Sequence, residues 1–450
     1  MRNALSKPVD DSADALSPAE QRRSLKWFYL LAGANSAFAM CTFGGGMFPL
    51  YLKELGLSPA RIGVVIGAIP FMQVLALVST PLIERLGYRR SYLIFYGSRK
   101  FTIMALVFAP WILHAFGAEA LFVFVVVCVL LFGVQRSLGE TAFYPWMKDV
   151  VPDEIRGRAQ GTANQFGTLA AGLGLGLAGL LVEYDELLGL GRFGGFQGGY
   201  LFFACIGLVG IAASMQMAGG HAVAPHPQQP SFARRLRESV RDRRFLAFLV
   251  GAGVLQGSQA LIGTFLSLYG KDVLEISSGR VVHLSIAAMA GGAVSARFWG
   301  RASDRCGSRR VLVGILSVLA VMPVGWMLLP LLGVRGRLFG LGAAFFLFGS
   351  GFAGAMVASL RLMYNSIIPS AKKGEYLAVR YAVVGIVAGL MPVLAGQSIG
   401  LFKGLAANLL GVPTNPFSPL FAGLILVWAA TAWLFQRIGE EEPKPQESRR

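Results

Sequence analysis

The sequence predicts an all-α membrane protein, with twelve transmembrane helices in two six-helix bundles related by a pseudo-two-fold axis. Three observations predict it. The 450-residue chain is 54% hydrophobic and only 14% charged, with a mean hydropathy of +0.58, far from the roughly 25% charged residues of an average soluble domain. About twelve apolar runs reach the ~20 residues needed to cross ~30 Å of hydrocarbon at ~1.5 Å per residue. One charged phrase occurs twice: "STPLIERLGYRRSYLI" from Ser79 and "GRASDRCGSRRVLVGI" from Gly300, with Glu84, Gly87, Arg89 and Arg90 spaced as Asp304, Gly307, Arg309 and Arg310.

The apolar runs begin near Trp27, Ile62, Tyr92, Leu121, Ala159 and Tyr200 in the first half, and near Phe245, Val281, Val311, Leu338, Tyr376 and Phe417 in the second. Residues 1–26 are polar and hold no short apolar core before a cleavage site, so a removable signal peptide is not expected. The expected organisation is a cytoplasmic tail over 1–26, a bundle over 27–217, a cytoplasmic linker over 218–245, a second bundle over 246–437 and a short cytoplasmic tail over 438–450. The linker reads as a Pro, His and Gln stretch followed by a basic amphipathic helix suited to anionic headgroups. Cys41, Cys128, Cys205 and Cys306 are scattered, which implies neither a disulfide framework nor a metal site.

The formal charge of +17 raises the question of nucleic acid. Its placement answers it. With the amino terminus cytoplasmic, roughly 30 of the 41 Lys and Arg fall in the tails and loops of that side. That bias fixes both termini in the cytoplasm of a cytoplasmic (inner or plasma) membrane and accounts for the charge without nucleic acid.

The duplication runs further than the opening phrase. "VVPDEIRGR" from Val150 aligns with "IIPSAKKGE" from Ile367, and "LYLK" from Leu50 with "LYGK" from Leu268, at offsets close to that of the first pair. Six spans, a basic linker and six related spans resemble the major facilitator superfamily over nearly all of the chain. Its most specific mark is a loop of the form G-x-L-x-D-R-x-G-R-R between the second and third spans, often repeated between the eighth and ninth. Gly300, Asp304, Arg305, Gly307 and Arg309 match it, with Arg310 following. The first copy keeps Leu82, Arg85, Gly87 and Arg89 but has Thr80, Glu84 and Tyr88 where the pattern has Gly, Asp and Arg. The resemblance implies two bundles rocking about a midplane site in alternating access. A carboxylate at a helix end can hold an Arg or cap a neighbouring helix. Glu84 and Asp304 are therefore latch candidates between bundles, and the basic pairs serve equally well as topology signals.

Ionisable groups inside spans are costly and are functional candidates by default. The fourth span places Arg136 and Glu140 four residues apart on one helical face. Counting from the basic ends of the spans puts Glu140 and Arg99 at matching depths of ~12–13 Å, with Arg99 or Lys100 as a further neighbour of Glu140. Three readings stay open: a structural ion pair, substrate orientation by the planar fork of Arg136, and proton coupling through Glu140. The family adds that many proton-coupled members carry R-x-x-x-G in this span. Here the sequence is "RSLGE". The family also lines its pathway with the first, fourth, seventh and tenth spans, which would place Asn35, Arg136, Gln256 and Gln259 on it. Ser36, Ser258, Asn164 and Gln165 are further intramembrane polar groups.

Other features read as structural. Arg361, Lys372, Lys373 and Arg380 sit near span ends and can snorkel to headgroups. His283 reads as interfacial, and "GTLAAGLGLGLAG" from Gly167 as close helix packing. That stretch lacks the Gly-Pro pair of the family's drug and proton antiporters. Pro392 is a mid-span kink candidate.

With four histidines, none near a nucleophile, and no phosphate-cradling loop, the chain carries no catalytic constellation and is not expected to be an enzyme. The expected function is secondary active transport of a small organic solute, with protons as a candidate coupling ion, no cofactor, membrane lipids around it and a monomeric state. A lipid flippase or a non-transporting receptor or scaffold on the same fold is the alternative.

Overall fold

A computed structural model describes residues 16–185, 187–221, 241–363, 367, 373–405, 407–409 and 412–438. Most of the expected linker and the final tail lie outside the described residues, as do Lys372 and the side chains aligned with Pro152, Arg156 and Gly157.

The first helix, α1, starts at a built cap. Ser17 accepts from the Glu20 backbone while the Glu20 carboxylate takes the Ser17 N–H at 2.9 Å, and Pro18 needs no donor in the first turn. It runs over Pro18–Ala39, loosens into a π-helical turn at Met40–Gly44 and resumes over Met47–Glu54. Gly56 at φ 85° turns the chain into α2 (Pro59–Phe71, Met72–Leu75 and Ala76–Leu86), capped by Ser58.

The stretch Tyr88–Val150 is 63 residues long, about three times what one crossing needs. It is two spans. Gly117, at φ 82° and ψ −178°, folds it back, so that Thr102 donates to Gln135 at 2.9 Å and a Cβ on Gly139 would strike the Tyr96 ring. We call its parts α3 (88–116) and α4 (118–150). Then follow α5 (Arg156–Glu183), α6 (Gly194–Ser214), α7 (Arg243–Asp272), α8 (Ser278–Cys306), α9 (Ser308–Leu331), α10 (Val334–Leu362), α11 (Lys373–Leu401) and α12 (Ser418–Arg437). Among the described residues the one departure from an all-helical chain is an antiparallel ribbon of β1 (Ala407–Leu409) and β2 (Val412–Thr414) before α12.

Outward side chains such as Leu173, Val294 and Leu426 are more than two-thirds exposed, the apolar surface a bilayer would cover. Each bundle keeps an aromatic core: Tyr51, Phe196 and Tyr200 in the first, Tyr269, Trp326, Phe421 and Trp428 in the second.

The internal repeat is visible atom by atom. Gly87 and Gly307 share one left-handed conformation, φ 84° and ψ 143° against φ 85° and ψ 146°. Arg89 donates to the Met215 carbonyl at the end of α6, and Arg309 to the Ile438 carbonyl at the end of α12, each closing its own bundle's last helix. Tyr51 donates to the Leu106 carbonyl at 3.0 Å, and its repeat partner Tyr269 to the Trp326 carbonyl at 2.7 Å.

The face where α1 begins and α12 ends is the terminal face; the other is the opposite face. The bundles meet tightly in the half next to the opposite face. There α2 packs on α11 through Gly63, Gly67, Gly389 and Gly396, where an added Cβ would strike backbone of the facing helix, and α5 packs on α8 through Gly179 against the His283 ring. His283 is thus in a seam between bundles, its Nδ1 3.0 Å from the Gly279 carbonyl oxygen, rather than at the lipid interface. At the opposite face the repeat crosses over: Lys53 pairs with Asp272 at 2.7 Å and Lys271 pairs with Glu54. Each bundle gives one lysine and takes one carboxylate, as a two-fold contact requires. Arg280 and Ser277 of the second bundle also meet Glu183 of the first.

Candidate functional site

Between the bundles, toward the terminal face, lies a polar cavity in two connected parts. The inner part, about 330 Å³, is lined by Asn35, Arg99, Gln256 and Gln259, and the part nearer the terminal face, about 440 Å³, by Tyr92, Tyr144, Arg380 and Tyr381. Asn35, Gln73, Tyr96, Arg136, Glu140 and Gln256 line both. All four pathway residues expected from the sequence, Asn35, Arg136, Gln256 and Gln259, therefore reach one cavity, together with Glu140.

Helical spacing makes the central pair. Arg136 and Glu140 stand one turn apart on α4, and Arg136 Nε donates to Glu140 Oε1 at 2.7 Å, with each side chain about a third exposed to the cavity. The carboxylate holds only one edge of the guanidinium fork, so the other edge can face a solute.

The α3 wall carries more charge. Arg99 and Lys100 are 2% and 0% exposed, and both direct nitrogens at the Asn35 side-chain oxygen, Lys100 from 3.4 Å. Arg99 stacks over the Tyr96 ring at 3.4 Å and Lys100 over Phe38 at 3.8 Å. The π-helical turn at Tyr92–Tyr96 sits just before them, a break from regular spacing of the kind often found at functional sites. The sequence expectation placed Arg99 or Lys100 beside Glu140. Arg99 does share its cavity, but the described bonds of both cations go to Asn35.

Several readings are revised. Arg380, read as a snorkelling end residue, lines the cavity from α11, its Nε buried without a partner. Depth near a span end did not reveal which way it pointed. Gln73, Tyr96 and Tyr144 were not singled out, although Gln73 is conspicuous in the apolar "IPFMQVLALV" of α2. Asn164 is exposed and bonded to Gln160 on its own helix, and Ser258 accepts from Trp428 Nε1 in the second bundle's core. Gly167 of α5 packs on Ser36 of α1 and Gly174 on Cys41 and Ala37, a close helix contact as expected for that stretch, whereas Gly172 faces open space. The loop residues Glu84, Gly87, Arg89, Arg90, Gly300, Asp304, Arg305, Gly307, Arg309 and Arg310 lie at the terminal face, away from the cavity lining, and Asp304 pairs with Arg361 of its own bundle. Among the described residues no cluster of His, Cys, Asp and Glu is arranged to hold a metal.

A two-bundle helical fold around a charged cavity is the build of a multi-pass membrane transport protein. The chain belongs to the Major Facilitator Superfamily, whose model matches residues 29–392. Solved structures with the same fold include the nucleoside transporter NupG (14% identity, 93% of this chain and 98% of that one, TM-score 0.63). Others are a bacterial homologue of the human lysosomal transporter Spinster in an inward-facing, occupied conformation (15%, 95% and 100%, 0.67) and a bacterial homologue of the iron transporter ferroportin in an outward-facing state (14%, 93% and 99%, 0.60). No curated protein matches the sequence.

Proposed function

We propose that this protein is a secondary active transporter that moves a small organic anion across the cytoplasmic membrane by alternating access, with its terminal face in the cytoplasm. The observation that carries this reading is the charge of the cavity. Arg99, Arg136 and Arg380 line it, Lys100 stands behind Asn35, and Glu140 is the single acid among the described lining residues. Buried cations without acids are expensive and are best explained by an anion that visits. The charged side chains of the lining favour a solute over a lipid tail, and the positive-inside bias orients the protein. In that frame the structure is inward-open, with the glycine seam and the crosswise lysine clamp closing the outside.

Glu140 supplies the coupling. An anion that takes the Arg136 fork competes with Glu140 for it, and a carboxylate losing its cation partner gains a proton. The loops around Glu84 and Asp304 would then meet across the bundles when the cytoplasmic side shuts. Glu140→Gln is expected to leave anion exchange intact while abolishing accumulation driven by a pH gradient in proteoliposomes; equal loss of both would refute the coupling role.

The direct test is thermal unfolding of the purified protein against a panel of organic acids, sugars, amino acids, nucleosides and cationic drugs. A bound anion at about 100 times its dissociation constant should add about 2.7 kcal/mol of stability. Arg136→Ala is expected to remove that shift in a protein that still folds, at an unliganded unfolding temperature somewhat lowered by the loss of the Glu140 pair. A neutral or cationic ligand whose shift survives Arg136→Ala would overturn the assignment.

A further inference from the structure

We infer that the solute carries two separated anionic groups, one held by Arg99 and Arg136 of the first bundle and the other by Arg380 of the second. This rests on the organic-anion reading and narrows it to a substrate class. The two parts of the cavity share a waist at Arg136 and Glu140; Arg99 lines only the inner part and Arg380 only the part nearer the terminal face. Each of these end arginines has a buried Nε with no hydrogen-bond partner. Arg380 has the Tyr381 ring 6.0 Å from its guanidinium carbon, and Arg99 has Tyr96 and Asn35. Neither is paired with a carboxylate among the described residues.

Charge decides the class. Among the described residues Glu140 neutralises the waist arginine through its bond to Arg136, which leaves an unpaired guanidinium at each end, with Lys100 behind Asn35 adding positive charge to the inner one. A monoanion answers one end and leaves the other desolvated and unpaired; a cation answers neither. A dianion with its charges at opposite ends, such as a dicarboxylate or a phosphorylated carboxylate, answers both, and guanidinium forks suit either group. The two ends belong to different bundles, so such a solute also bridges the parts that must move together when the site closes.

The experiment compares linear α,ω-dicarboxylates with monocarboxylates of the same carbon number, by thermal shift and by competition in proteoliposomes, at a pH where both carboxylates are ionised. Dianions should bind at least ~10-fold more tightly than their monoanion partners, the scale of one charge-assisted bond. Arg380→Gln should erase that preference while monoanion binding persists, and Arg380→Lys should retain part of it. Equal binding of mono- and dianions by the native protein would overturn the two-ended site and leave the organic-anion reading standing. Loss of both ligand classes in Arg380→Gln, with an unchanged unliganded unfolding temperature, would overturn the division between the ends. Failure of every anion in the native protein would instead remove the organic-anion reading itself.

Discussion

Replacing Gly67 with valine is expected to force the seal at the opposite face open and to abolish net transport. In the structure Gly67 faces the Gly389 carbonyl oxygen across the α2–α11 seam, and a Cβ there would also approach Val393 Cγ2 to 2.8 Å. In return, a Cβ on Gly389 would lie 2.8 Å from the Gly67 carbonyl oxygen. Backbone cannot rotate away as a side-chain tip can, so the overlap must be relieved by separating the helices. Overpacking of this kind costs ~1–3 kcal/mol or more, and ~1.4 kcal/mol is tenfold in a conformational equilibrium. The sealed state should therefore lose about ten- to a hundredfold in population relative to one in which α2 and α11 have parted. The crosswise Lys53–Asp272 and Lys271–Glu54 pairs resist that opening, but partly exposed pairs contribute only ~1 kcal/mol each. Spin labels on the exposed Leu187 and Leu401, one on each bundle at the opposite face, would report the change as a longer distance. Gly161→Ala, where the space is open, is the control. Indistinguishable distances in the two variants would mean that the seam is not what closes this face.

The seam also shows where sequence reading stops. Each apolar run coincides with a described helix, because hydropathy needs only length and apolarity, but the run at Trp27 lies inside a helix that begins at Pro18. The extra turns are polar, held by the Ser17 and Glu20 cap, and a hydrocarbon criterion cannot see a helix that projects into water. The repeat was legible through "LYLK" and "LYGK", yet the next residues, Glu54 and Asp272, complete the crosswise clamp, and only a two-fold arrangement in space reveals that each lysine reaches the other copy's acid. Arg136, Glu140, Arg99 and Lys100 stood out because charge inside a span is costly wherever it points. Arg380 did not, because near a span end the same residue can reach headgroups or turn inward, and that choice is made by the packing of α11 on α2 and α7. Glycine-rich stretches read as close packing, but which glycines touch a partner bundle and which face open space depends on rotation about the helix axis.

Lys100→Met is expected to make the protein more stable and less able to bind its solute. The ammonium is fully buried between α1, α3 and α6, with its stem against Gly207, its charge over Phe38 and a single long hydrogen bond to Asn35. No carboxylate pairs with it among the described residues, and Arg99 beside it adds a second positive charge. Its close cation–π contact with Phe38 returns ~2 kcal/mol when desolvated, and the longer one with Tyr96 at 5.1 Å adds less, together below the several kcal/mol that burying an ion costs after relaxation. Methionine keeps the unbranched stem and its packing while removing the charge, so unfolding should become harder by ~1–4 kcal/mol, a rise of several degrees in the unfolding temperature of the unliganded protein. The same change withdraws positive potential from the wall behind Asn35 and Arg99, and anion affinity should fall about tenfold or more. Lys100→Arg, which keeps the charge, should leave affinity within a few-fold of the native protein if it folds. Stability and binding moving in opposite directions would identify the buried ammonium as a cost carried for the solute. A Lys100→Met protein that is less stable and binds as before would identify it as a packing element, and the anion reading would then rest on the three cavity arginines alone.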